Sequence, residues 1–168
     1  MSQQPSPLAR TPTEPGDFPV SGPNSLPPIS LRLAAKLIDL VIVTLPVVAI
    51  AVGFITVDGG QVRIEDVPWW LIGVQVAIAV AYESLLVAWW GTTIGKWALG
   101  MRVVRYADGQ RPDLGRATQR SLLPNAFLIV PIAFVSLLQW VVYGSSAFHP
   151  LRRGWHDRYS GTLVVRSR

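Results

Sequence analysis

WWLIGVQVAIAVAYESLLVAWW, running from Trp69 to Trp90, decides the fold class of this chain. Glu83 is its one charged side chain, so it lacks the polar face on which a soluble amphipathic helix meets water. At about 1.5 Å per residue its helical length matches a bilayer hydrocarbon core of about 30 Å. Trp69-Trp70 and Trp89-Trp90 place amphipathic rings at both membrane interfaces. The stretch reads as a membrane-spanning helix.

Two more apolar blocks flank it. Leu37 to Val57 is of similar length and reads as a second span. Leu122 to Tyr143 is interrupted by Pro124 and by Pro131, which removes a helical hydrogen bond near its middle, so the third block is kinked or re-entrant. Half of the 168 residues are hydrophobic, mean hydropathy is +0.36 and 15% are charged, where a soluble domain carries roughly a quarter charged. Residues 1–29 differ in kind. Prolines from Pro5 to Pro28 stand among Ser, Thr, Gln and Gly, with too little apolar surface to offset the entropy of ordering. This predicts a disordered Pro-rich tail ahead of a membrane domain over residues 30–168. The late first apolar block, with Asp39 inside it, argues against a cleaved signal peptide.

Gly91 to Arg120 is polar and basic. Within it, Gly100-Met101-Arg102-Val103-Val104-Arg105-Tyr106 predicts a short strand closed by the turn signal Asp108-Gly109. Gly161-Thr162-Leu163-Val164-Val165-Arg166 repeats the pattern, so the two predict a small paired sheet at the membrane surface. Gly91-Thr92-Thr93-Ile94-Gly95-Lys96 is a poor phosphate loop: three residues separate the glycines instead of four, and Trp97 follows the lysine. A tight Gly-rich turn leaving the membrane is the better account. His156-Asp157 is a weak metal signal, because His149 is the only other histidine and cysteine is absent. Asp157 is expected to pair with Arg152, Arg153 or Arg158. No metal, no cofactor and no enzymatic activity are expected. The formal net charge of +5 points to anionic lipid headgroups at the basic loops, not to nucleic acid.

The ionisable residues inside the apolar blocks carry the most information. An unpaired charge there costs about 2.5–3.5 kcal/mol on insertion scales, so Asp39 and Glu83 each need a partner or a function. Arg32, Lys36 and Asp39 share one face of a continuous helix, which predicts that Arg32 or Lys36 pairs with Asp39. Glu83 lies deeper and is the candidate for a role in moving cations or protons.

In order along the chain, these motifs resemble the RDD family of small bacterial integral membrane proteins. Arg32-Leu-Ala-Ala-Lys36-Leu-Ile-Asp39 is similar to the family's opening. Tyr82-Glu83, Gly91 to Lys96, Leu99 to Val104 with Gly100 and Arg102, and Asp108-Gly109 are similar to its central signature. Arg152-Arg153, His156-Asp157 and Gly161 to Val165 are similar to its terminal one. The resemblance implies that Arg32, Asp39 and Asp157 are the residues behind the family's name, and that the protein sits in the bacterial inner membrane. One departure is the single Arg32 where many members carry two adjacent arginines.

The expected fold is an all-α membrane protein, a bundle of about three hydrophobic segments (about 37–57, 69–90 and 122–143) with a small basic cytoplasmic element that carries two paired strands. Arg10, Arg32 and Lys36 place the N-terminus in the cytoplasm, and the loop Gly91–Arg120 returns there with six cations. The tail, with Arg152, Arg153, Arg158, Arg166 and Arg168, leaves two accounts. Either the third block crosses and the tail is an exception to the charge rule, or the block bends at Pro131 and returns. Two functions are expected: transport of an ion or small solute by a homo-oligomer, or a non-catalytic accessory that binds another membrane protein.

Overall fold

Helix α1 (Ile29–Ala51) starts directly after Pro27-Pro28, where the carbonyl of Pro28 accepts the amide of Arg32 at 3.3 Å. The structure, a computed structural model, describes residues 12–58, 61–64, 68–128 and 138–168. Because α1 begins eight residues before the apolar block, Arg32 and Lys36 are inside it. Its last turn tightens to 3₁₀ geometry over Val52–Phe54. The β-branched run Ile55-Thr56-Val57, expected to end the first span, is instead in strand β1 (Ile55–Asp58), which pairs antiparallel with β2 (Gln61–Ile64).

Helix α2 (Trp70–Trp90) falls where expected. Lys36 near the start of α1 meets Glu83 near the end of α2, so the two helices run antiparallel. Ala35, Asp39 and Val43 of α1 are buried at helical spacing, as are Ala79, Glu83 and Val87 of α2. The other faces are not. Val41 is 58% and Leu45 60% exposed, and only 11% of the most apolar stretch of α1 is buried within the protein. The core helix of a soluble protein would be mostly covered; here the bare apolar surface matches a lipid environment. Both helices are long and apolar enough to cross a membrane.

The polar stretch after α2 is largely ordered into elements. Gly91 ends α2 in left-handed geometry (φ +71°), which a side chain would strain. Helix α3 (Ile94–Ala98) and strand β3 (Met101–Arg105) follow, and helix α4 (Leu114–Asn125) starts where Asp113 accepts the amide of Arg116 at 2.9 Å. Helix α4 thus joins the end of the basic loop to the start of the third apolar block, and a 3₁₀ turn, Ala126–Leu128, extends it. Pro131, the proposed bend, lies outside the described residues. Helices α5 (Leu138–Gly144) and α6 (Trp155–Tyr159) lead to strand β4 (Thr162–Arg166).

The expected pairing of β3 with β4 is present and antiparallel, with Val103 opposite Val164 and Val104 opposite Leu163. One face of this ribbon packs Met101, Val103 and Val164 against Ala35, Val87 and Ala117. The other packs Val104, Leu163 and Val165 against Phe18 and Leu151. Residues 12–28, expected within a disordered tail, run beside β4, where Asn24 and Ser25 exchange backbone bonds of 2.8 and 2.9 Å with Arg166. Residues 1–11 lie outside the described residues. The N-terminal segment, α3, α4 and the C-terminal ribbon are therefore assembled at one end of the α1–α2 pair.

Candidate functional site

Asp39, nearly three turns into α1, is 4% exposed and its carboxylate is fully engaged. The Tyr82 hydroxyl donates at 2.7 Å and the Gly95 amide at 2.8 Å to one oxygen, and the Thr93 hydroxyl donates at 2.6 Å to the other. Lys96 stands 3.6 Å away. Gly95 is required here because a Cβ would sit 2.2 Å from the carbonyl oxygen of Ala35. The Gly-rich turn thus works as a cap that folds back onto α1 and hands two donors and a cation to a buried carboxylate, to which Tyr82 of α2 adds a third donor.

Glu83, also 4% exposed, accepts three cations: Arg120 at 3.3 Å, Lys36 at 3.6 Å and Lys96 at 3.7 Å. Arg120 of α4 bridges onward to Asp157 of α6 in a short direct bond, and donates to the Thr162 hydroxyl at 3.0 Å. Arg32 lies 3.6 Å from Asp157, bonds the carbonyl of Val164 at 2.9 Å and also the carbonyl of Arg152. One network therefore runs Asp39–Lys96–Glu83–Arg120–Asp157–Arg32 through α1, α2, α3, α4 and α6. Each buried ion has an opposite charge beside it, the condition under which burial is tolerable. Burial holds Lys96 below the ordinary ammonium range, opposed by the carboxylates of Glu83 and Asp39. Burial, reinforced by the positive charge of Arg120, holds His156 well below the usual imidazole range, so it is neutral at physiological pH.

Two expected pairings are corrected. Neither Arg32 nor Lys36 pairs with Asp39: they go to Asp157 and Glu83, because α3 folds over Asp39 and supplies Lys96 and the amide of Gly95. Asp157 does not form an ion pair with Arg152, Arg153 or Arg158. Its carboxylate takes Arg120 and Arg32, while Arg153 donates to the carbonyl of Thr162 at 3.0 Å and stacks 3.9 Å over the Tyr106 ring. Arg152 bonds the carbonyl of Leu26 and Arg158 is exposed. Arg102 bonds Asn24 at 2.7 Å, and Gly100 and Gly161 begin the strands of the ribbon, all outside the network. Sequence reasoning counted Arg120 only among loop cations and missed Tyr82 as a partner of Asp39. The one available signal was arithmetic: Asp39, Glu83 and Asp157 outside solvent need more cations than α1 supplies.

Beside the network lies a cavity of about 160 Å³, lined by the polar side chains of Arg32, Lys36, Arg120, Tyr143 and Asp157 among others and by apolar ones that include Leu33 and Trp140. Among the described residues no cluster of His and carboxylates has the arrangement to hold a metal ion.

The RDD family description matches residues 26–161, a span that contains Arg32, Asp39 and Asp157. The chain belongs to the RDD family. Arg32, Asp39 and Asp157 are held in one network here: Arg32 and Asp157 touch directly, and Asp39 joins through Lys96, Glu83 and Arg120. No curated protein and no solved structure matches this RDD protein. Family membership and the exposed apolar helices together make it a membrane protein.

Proposed function

We propose that this RDD protein is a non-enzymatic, multi-pass protein of the bacterial inner membrane that moves an ion or small solute as a homo-oligomer, with the buried charge network as its binding centre. The observation that carries this reading is the convergence of seven charged side chains from five helices beside a cavity, at the end of two apolar helices. Buried charge on this scale is costly to keep, and in membrane proteins it marks solute or ion sites. Two apolar helices hardly enclose a pathway, which favours self-association.

The N-terminus is cytoplasmic in this proposal. Pairing of β3 with β4, and of Ser25 with Arg166, supports a common side for the N-terminal segment, the Gly91–Arg120 element and the tail. That arrangement obeys the charge rule and favours a third segment that bends back. The test is flux in proteoliposomes of the purified protein. Solute movement that is absent from empty vesicles and lost on Lys96→Met, with a matched amount of folded protein, is expected. No flux for any small ion or organic anion overturns transport.

A second reading, an accessory that stabilises another membrane protein, is favoured by the completeness of the ion pairing, since every carboxylate of the network already has its cation. A foreign subunit co-purifying at fixed stoichiometry from mild detergent, with no flux, would establish it instead.

A further inference from the structure

The network is not electrically balanced. Arg32, Lys36, Lys96 and Arg120 face Asp39, Glu83 and Asp157, which leaves one positive charge in excess when His156 is neutral. The excess lies at the cavity, whose wall includes all four cations but only one of the carboxylates, Asp157. The oxygens of Asp157 are already taken by Arg120, by Arg32 and by the amide of Gly154 at 3.3 Å.

Three polar groups of the same wall have no partner among the described residues: Nε of Arg32, the hydroxyl of Tyr143 and Nδ1 of His156. The guanidinium nitrogen and the hydroxyl can both donate, and buried donors without acceptors are unfavourable. Lys36 approaches Glu83 only to 3.6 Å, longer than a hydrogen bond, and rests 4.4 Å over the Tyr143 ring, so its ammonium also has protons to give. The cavity of about 160 Å³ exceeds the share of one water in the liquid, about 30 Å³, several-fold. Apolar walls of Ile29, Leu33, Trp140 and Val164 lower the local dielectric and strengthen any charge held there. Leu33 is 47% exposed, so the wall reaches the outer apolar face of α1.

We propose that this cavity binds one oxyanion, a phosphate or carboxylate group, between Arg32, Lys36 and the Tyr143 hydroxyl. The proposal deepens the transport reading by naming the class of ligand, and rests on the network being a binding centre and not only a clamp. An anion there cancels the excess charge and supplies the missing acceptors, with charge-assisted bonds to a guanidinium and an ammonium. A free organic or inorganic anion and the phosphate of an anionic lipid share this chemistry; the apolar walls accept the carbon chain of either.

The experiment is thermal unfolding of the whole protein, once in non-ionic detergent with sodium phosphate or acetate against sodium chloride at equal ionic strength, and once in phosphatidylcholine nanodiscs with or without phosphatidylglycerol. Oxyanion-specific stabilisation in detergent assigns a soluble ligand, and stabilisation by phosphatidylglycerol alone assigns a lipid headgroup. Tyr143→Phe removes a hydroxyl without a partner among the described residues, so it keeps the parent's unliganded melting midpoint while weakening the anion's half-effect concentration about tenfold, the value of one charge-assisted hydrogen bond. No stabilisation by phosphate, acetate or phosphatidylglycerol, or a half-effect concentration that Tyr143→Phe leaves unchanged, overturns the site. Flux without anion stabilisation would defeat this site and leave transport standing; stabilisation without flux would do the reverse.

Discussion

A single methyl group at Gly95 tests whether the Gly-rich turn holds the charge network together. In Gly95→Ala the new Cβ would lie 2.2 Å from the carbonyl oxygen of Ala35 and 2.9 Å from a carboxylate oxygen of Asp39. Ordinary contact requires α3 to withdraw by about 1 Å. That movement lengthens the 2.8 Å bond from Gly95 and the 2.6 Å bond from Thr93 past useful range and draws Lys96 from its carboxylates. Overpacking costs about 1–3 kcal/mol and a broken buried ion pair about 3–5 kcal/mol, against a helix-propensity gain of about 1 kcal/mol for alanine over glycine. With partial relaxation the net loss is about 2–5 kcal/mol, which at about 2–4 °C per kcal/mol lowers the melting midpoint by about 5–20 °C. Size-exclusion chromatography after heating in detergent reads the midpoint. Gly73→Ala is the control, since a Cβ there meets nothing within 4 Å, and it should match the parent. A Gly95→Ala protein that melts at or above the parent refutes the close approach and the cap built on it.

Arg120→Gln leaves Glu83 with Lys36 and Lys96 and leaves Asp157 with Arg32 alone, so stability should fall by at most about 3–5 kcal/mol. Measured in detergent, the double variant with Glu83→Gln should lose less than the sum of the single losses, and strict additivity would count against the pair. The depressed pKa of His156 sets a pH dependence: below about 6.5 the unfolded chain binds a proton that the folded protein resists, so stability is full above that value and falls with acidification. The melting midpoint should drop from pH 7 to pH 5 and drop less in His156→Gln; equal slopes would exclude His156 as the cause. For topology, Ser167→Cys should resist an impermeant thiol reagent in intact cells and react after lysis, with no background because the chain has no cysteine. Labelling in intact cells would separate the tail from the cytoplasmic side.

Much of this was legible because it depends on one-dimensional pattern. The Trp69–Trp90 run became α2 within a residue, since a long apolar stretch between tryptophan pairs has few alternatives to a helix. The two Gly-led β-branched runs became β3 and β4 for a similar local reason. The end of the first block was misjudged because hydropathy does not separate a helical Ile-Thr-Val from a strand. Helix α4 was divided between a loop and a span, since it is amphipathic, with Ala117, Arg120, Ser121 and Pro124 buried and Leu114, Arg116, Gln119 and Leu122 exposed.

By itself the sequence determined that this is an apolar, helix-dominated membrane protein of the RDD family, and that Arg32, Asp39, Glu83 and Asp157 are costly where they stand and must be matched. Only the tertiary structure decided which charge matches which. Arg32 meets Asp157 across 125 positions of chain and Arg120 joins Glu83 to Asp157, because α3 and α4 fold back over the end of α1 and α2. Helical spacing ranks near neighbours along one helix. A buried ion takes the opposite charge that packing brings within reach, and the contest between Lys36 and Lys96 for Asp39 was settled by an amide and a glycine with no side chain to keep them apart.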